Sequence, residues 1–286
     1  MRAISSIENI ELISKNMELE LSTLWAALVI YVAAGSAAII GVMLRHRPER
    51  TVLGLLTAGL ALHTLSIGLR WERLGHGPVI TTFELLTSQI WGMILIFTLV
   101  YWRIRAIRPI AAVVMPVIFI IMGWLLMTDP ARGFYPPTYH TIWLYIHISL
   151  GKVHLGALLV SVGLAGVILL RAANIGRERL AKLPPDARLD DLAYRFMALA
   201  FIFATLMIIA GAIWAQGAWG RYWAWDPIET WAFVTWLTLA FALHLRFTLK
   251  TRPLVSALMV MAVFVLSFLT FLGVPFISHA PHTGVM

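Results

Sequence analysis

The sequence predicts an all-α protein: a polytopic integral membrane bundle of about eight transmembrane helices, with both termini extracytoplasmic. Three observations predict it. Hydrophobic residues make up 60% of the 286-residue chain and charged residues only 13%, about half the charge of a soluble domain, and the mean hydropathy is +0.84. The apolar residues fall in continuous runs of about 20, enough to cross a hydrocarbon core of roughly 30 Å as helices. They do not alternate as barrel strands would. The basic residues concentrate in every second connection, which orients the chain.

Residues 1–20 carry four Glu against one Arg and one Lys, unlike the basic start of a signal peptide. Ile10, Ile13, Met17 and Leu21 recur at helical spacing, so residues 1–21 are expected to form an amphipathic lead-in. The remainder, 22–286, reads as a single transmembrane domain. Hydropathy places spans near 22–44, 51–70, 83–102, 109–127, 143–170, 192–214, 229–247 and 253–275. The one long polar connection is 171–191, with Pro184-Pro185 inside it.

The connections after the odd-numbered spans hold fourteen basic residues, among them Arg45, Arg50, Arg103, Arg105, Arg171 and Arg246, and the opposite ones hold four: Arg70, Arg73, Arg132 and Arg221. The positive-inside rule then puts loops 71–82, 128–142 and 215–231 on the extracytoplasmic face. The net charge of +8 is accounted for by these short loops, so no nucleic-acid partner is expected. With no cysteine in the chain, disulfides, thiolate metal sites and thiol nucleophiles are excluded.

The stretch Trp219 to Leu237 gathers five of the twelve tryptophans. Amphipathic indoles at a bilayer interface explain one or two per helix end, and Trp25, Trp91, Trp102 and Trp124 need no more. Five in so short a stretch point instead to an aromatic-walled platform for a large planar ligand. Asp226-Pro227 followed by Glu229 has the spacing of a helix start, which would fix where Trp219, Trp223, Trp225 and Trp231 point. Arg221 is a candidate partner for a ligand carboxylate.

Depth sorts the histidines, at about 1.5 Å of rise per residue. His147 lies near the outer start of the fifth span and His279 just past the outer end of the eighth, both level with the tryptophan loop. Two such histidines suit the axial positions of a haem iron; His282, three residues on, is the alternative to His279. His244, His63 and His154 fall within spans, where an ionisable residue is a functional candidate or a neutral imidazole bonded to the next helix. Lys152 snorkels or meets a ligand carboxylate. His46 reads as a solvated inner-loop residue, and His76 and His140 lie in outer loops.

Trp219-Gly-x-x-Trp223-x-Trp225-Asp226-Pro227-x-Glu229-Thr-Trp231 resembles the tryptophan-rich "WWD" signature of haem-handling proteins. Leu69-Arg70-Trp71 with Gly75-His76-x-Pro78 and Glu84-Leu85, Trp143-Leu144-x-x-His147, and Trp231 through His244 resemble the CcsA (ResC) family of System II cytochrome c biogenesis. The ending His279-Ala-Pro-His282-Thr-Gly departs from the family's His-Ser-Tyr-Gly.

That resemblance implies a cytochrome c synthase subunit, a haem lyase working with a CcsB (ResB) partner. It would hold haem b at the extracytoplasmic motif and attach it through thioethers to the Cys-x-x-Cys-His segment of apocytochrome c. By likeness His147 and His279 would ligate the outer haem, and His244 a haem in transit whose other ligand lies on CcsB. The expected location is a bacterial cytoplasmic or thylakoid-type membrane. A CcmC-type haem-delivery protein, a transporter of another flat substrate and a cytochrome b are the rival readings. The first is expected to be shorter, with about six spans.

Overall fold

The computed structural model describes residues 2–44 and 48–274. Arg45, His46, Arg47, His279 and His282 lie outside the described residues. The described chain is helical throughout, without a strand, and eight of its helices are long and apolar enough to cross a membrane. In chain order the described α-helices are α1 (Arg2–Met43), α2 (Glu49–Leu74), α3 (Thr82–Arg103), α4 (Ala111–Leu125), α5 (Ile142–Ala172), the non-spanning single turn α6 (Arg177–Leu180), α7 (Asp186–Trp219), α8 (Pro227–Leu249) and α9 (Pro253–Phe268).

Several boundaries have a local cause. Thr81 caps α3 with a full capping box: its hydroxyl accepts from the Glu84 N–H at 3.2 Å, and the Glu84 carboxylate takes the Thr81 N–H in return at 3.3 Å. Pro109 sits in the 3-10 turn Arg105–Ile110 that links α3 to α4. Proline opens both α8 and α9 at the first position, where no intrahelical N–H is needed. Helix α1 runs unbroken through residue 21, so the lead-in and the first span are one element of 42 residues.

Helix α5 is the central element, packed against α7, α9, α3 and α4. In its apolar window 78% of residues are buried, against 22% for α8, which packs mainly on α7 and α9. A helix left so open presents an apolar face to lipid, and Leu237 and Phe241 lie exposed on α8. Successive spans alternate in direction, so 75–81, 126–141 and 220–226 gather at one end of the bundle.

A buried ion cluster locks that end. Arg70 of α2 donates to Glu84 of α3 at 3.0 and 2.8 Å and to Glu20 of α1 at 2.7 Å, and also to the carbonyls of Pro130 and Ala131. Arg73 reaches the other Glu20 oxygen at 2.8 Å, and the second Glu84 oxygen holds the Ile80 N–H at 2.8 Å. Four charges thus cancel pairwise where single ones would be costly.

Candidate functional site

The tryptophan motif begins where α7 stops. Gly220, with φ 77°, closes the helix in a left-handed conformation that a side chain would strain, and its N–H bonds the Gln216 carbonyl at 3.0 Å. Trp225 adopts φ 59° in the loop. Asp226 caps α8 by accepting from the Glu229 N–H at 2.8 Å. The buried Glu229 carboxylate reaches back past the cap to the Ala224 N–H at 2.6 Å, and Thr230 donates to the Trp225 carbonyl at 3.2 Å. The expected helix start is therefore present, and its acidic residues pin the segment that carries Trp223 and Trp225.

The indoles do not form one flat wall. Trp223 and Trp225 meet edge-on, centroids 5.6 Å apart at 82°, and both meet Phe233 of α8 edge-on. Phe233 stacks on Trp236 at 6.0 Å, and Trp236 on Phe201 of α7 at 5.3 Å; the Trp236 indole donates to Thr205 at 2.8 Å. Trp219 belongs to a second cluster, edge-on to Trp214 at 5.0 Å. Edge-to-face contact suits the ring quadrupole better than a face-to-face sandwich. Trp225 and Trp231 are exposed, as is Arg221. The Trp223 indole N–H is buried with no acceptor among the described residues.

His147 joins the second cluster from α5. Its ring lies over Trp214 at 6.1 Å and 24°, and Trp214 also meets Tyr139 edge-on at 5.2 Å. Nδ1 lies 2.8 Å from the Met207 carbonyl of α7. A carbonyl only accepts, so Nδ1 carries the proton and Nε2 the lone pair. That is the tautomer used by metal-binding histidines, whose other nitrogen is held by a carbonyl or carboxylate. The close approach depends on Gly211: a Cβ there would lie 2.7 Å from Nδ1.

The deeper histidines separate. His154 is fully buried, its Nδ1–H donated to the Ala200 carbonyl at 2.9 Å, and His63 lies 3.4 Å from the Tyr31 hydroxyl. Both are imidazoles tied to a neighbouring helix, and both leave Nε2 buried without a partner among the described residues. Lys152 packs its stem against Gly92 of α3. His244 instead sits exposed on the open helix α8, unlike most intramembrane histidines, which face the bundle interior.

A further cluster at the same end joins the outer-loop histidines His76 and His140 to tyrosines that the sequence did not single out. His76 is buried and stacks on Tyr135 at 4.1 Å and 3°; His140 meets Tyr135 edge-on at 4.5 Å. Tyr145 bonds the Gly77 N–H at 3.1 Å and stacks on Trp71 at 5.5 Å. The Tyr135 hydroxyl donates to the Tyr139 carbonyl at 2.9 Å. Burial and the neighbouring Tyr145 hydroxyl push the Tyr135 phenol well above its usual range, and burial raises Tyr139. Tyr135, Tyr139 and Trp214 fall in no short motif, so nothing local marked them, whereas Trp71 and His76 lie in stretches that carry the family resemblance. Together these rings tie loops 75–81 and 126–141 to the His147 cluster.

The family described as "Cytochrome C assembly protein" matches residues 79–282. The chain belongs to that family. His147, the tryptophan motif, His244, His279 and His282 all fall in the matched segment. The chain is 31% identical over 295 residues to the cytochrome c biogenesis protein CcsA of Synechococcus sp. (strain CC9902), covering 93% of this chain and 96% of that relative. It is 29% identical over 257 residues to the CcsA of Guillardia theta, covering 82% and 83%. Among solved structures it resembles the cytochrome c haem lyase CcmF, with a TM-score of 0.68 at 17% identity. That likeness covers 94% of this chain but 48% of the other, so the chain spans about half the length of that structure, and the shared feature is the fold. Family membership agrees with the resemblance drawn from the motifs, and the eight spanning helices agree with an integral membrane protein.

Proposed function

We propose that this chain is the haem-handling subunit of a System II cytochrome c synthase. It would hold haem b at the extracytoplasmic end of the bundle and promote thioether formation with the Cys-x-x-Cys-His segment of an apocytochrome c. The observation that carries this reading is the His147 tautomer. Nδ1–H is held by the Met207 carbonyl, so that in the neutral ring Nε2 is the nitrogen suited to a haem iron, on a ring backed by Trp214 and thence by Trp219 of the motif. Such a carbonyl partner also raises ligand basicity, and imidazole is a common haem ligand. His279 would supply the other axial position, with His282 as its alternative.

The reaction adds a thiol S–H across each haem vinyl group. One C–S bond and one C–H bond form as the π bond is lost, with no net redox change. Both thiols come from the substrate, since this chain has none. The protein's share of the work is positioning, which removes much of the entropic barrier. The pinned segment 223–226 would fix the ring plane and exclude water. Arg221 and the Trp223 indole N–H are donors suited to a propionate.

His244, exposed on the lipid-facing helix α8, suits a haem shared with a second subunit of the CcsB type, which would complete the coordination from its own side. A six-span delivery protein is disfavoured by the eight spanning helices. The test is the absorption spectrum of the purified chain with CcsB, for wild type, His147→Ala and His279→Ala. A bis-histidine spectrum weakened by either substitution and restored by imidazole is expected. A wild-type complex without haem sinks the reading.

A further inference from the structure

The end of the bundle opposite the tryptophan motif holds an open cavity of about 630 Å³ lined by Glu49, Arg50, Thr51, Trp102, Arg105 and Arg108. Ligand pockets fall in this size range. Elsewhere at this end Arg171 bonds Asp186 and Arg246 bonds Asp190. Within the cavity Arg108 is paired too, bonded to Glu49 at 2.7 Å and to the Tyr101 carbonyl at 2.9 Å, with its guanidinium over the Tyr101 ring. Arg108 thereby neutralises the one carboxylate on the wall. Arg50 and Arg105 are exposed and have no carboxylate partner among the described residues. The cavity therefore carries a net surplus of two cations.

The rest of its lining says what kind of anion it fits. Trp102 is exposed at the end of α3, as an indole at the lipid headgroup level is, and Leu53 continues the wall toward the apolar stretch of α2. Thr51, also in the lining, is exposed. Helix α2 also starts here without a side-chain cap, so its first-turn N–H groups add positive potential to the same wall. A water-soluble anion would gain nothing from Trp102 and Leu53, whereas an amphiphile anchored in the bilayer places its phosphate beside the arginines and its glycerol beside the indole.

We propose that this cavity is a binding site for the phosphate headgroup of an anionic phospholipid, held by Arg50 and Arg105 against Trp102. Basic pockets between spanning helices take such headgroups. The site is independent of the haem chemistry proposed above. It would seat the start of α2 and the α3–α4 connection on the basic face of the membrane and hold α2 and α3 in register at the end away from the Arg70 ion cluster.

The test uses the full chain, exchanged into detergent with mixed phosphatidylglycerol and phosphatidylcholine, then analysed for retained lipid by native mass spectrometry. Wild type is expected to retain phosphatidylglycerol over phosphatidylcholine by on the order of tenfold. Arg50→Gln with Arg105→Gln should abolish that preference, while Arg103→Gln, an exposed neighbour that does not line the cavity, should keep it. Circular dichroism and thermal melting of each variant establish that the bundle is intact, and the single variants Arg50→Gln and Arg105→Gln serve if the double variant fails to fold. Equal retention of the two lipids by wild type overturns the proposal. So does an equal loss in Arg103→Gln, which would mean general surface charge. Displacement by millimolar inorganic phosphate would make it a site for the free ion, and displacement by haem alone a site for carboxylates; either result overturns the lipid assignment.

Discussion

Gly211 and His147 form a pair whose geometry admits one prediction directly. A Cβ at 211 would lie 2.7 Å from Nδ1 and 2.8 Å from Cε1 of the imidazole, so Gly211→Ala must move the ring. Overpacking of this kind costs about 1–3 kcal/mol, and the hydrogen bond to Met207 that sets the tautomer would lengthen. The expected result is a lower melting temperature together with a weakened, shifted haem spectrum, whereas a change on the lipid face, such as Leu237→Ala, leaves the spectrum unaltered. A wild-type spectrum from the Gly211→Ala variant would mean that His147 is not held for ligation. The sequence singles out His147 as a candidate through its depth and the Trp143-Leu144-x-x-His147 stretch. Its tautomer is not legible there, because the carbonyl that sets it lies sixty residues away on α7.

Two elements carry the next predictions. The start of α8 rests on Asp226 and Glu229, and removing an N-cap acceptor costs about 1 kcal/mol. Asp226→Ala is expected to lower stability by about that amount. Glu229→Ala should do more harm, because it also frees the Ala224 N–H and with it the segment holding Trp223 and Trp225; haem retention, measured at matched protein concentration, should fall further for Glu229→Ala than for Asp226→Ala. The second element is the loop 126–141. Its Tyr135 and Tyr139 phenols ionise less readily folded than unfolded. A raised folded value means that their contribution is complete below the ordinary phenol range and is lost as pH climbs through the alkaline range toward the folded value. Thermal melts should therefore show stability falling above about pH 10, and Tyr135→Phe should make that fall shallower. The capping pattern was readable as Asp-Pro-x-Glu, since a cap is local. The Tyr135 stack on His76 was not, since it joins two loops that are about sixty residues apart in sequence.

For the whole molecule, the buried cluster of Glu20, Arg70, Arg73 and Glu84 ties α1, α2, α3 and the 128–131 segment together. Removing one member strands its partners: Glu84→Ala is expected to destabilise the bundle by about 3–5 kcal/mol, while replacing Arg70 and Glu84 together by apolar residues should cost less than the sum of the two single changes. A double-mutant cycle on melting temperatures checks this, and strict additivity would mean that the cluster is not a coupled unit. Local composition determined the all-helical class and the number of spans, with most of their bounds close but α1 and α7 longer than expected, and the loop charges determined the basic end, because lipid forces each span to satisfy its backbone internally and so leaves its mark in the sequence. The motif likewise determined the family. What only the tertiary structure decided is which faces meet: that Glu20 joins an ion cluster with α2 and α3, that Trp219 sits in one aromatic cluster and Trp223 and Trp225 in another, that His154 and His63 turn inward while His244 turns outward. Those outcomes depend on how α5 packs among its neighbours, and contacts between residues distant in the chain leave no periodic trace in a sequence whose spans are apolar on every side.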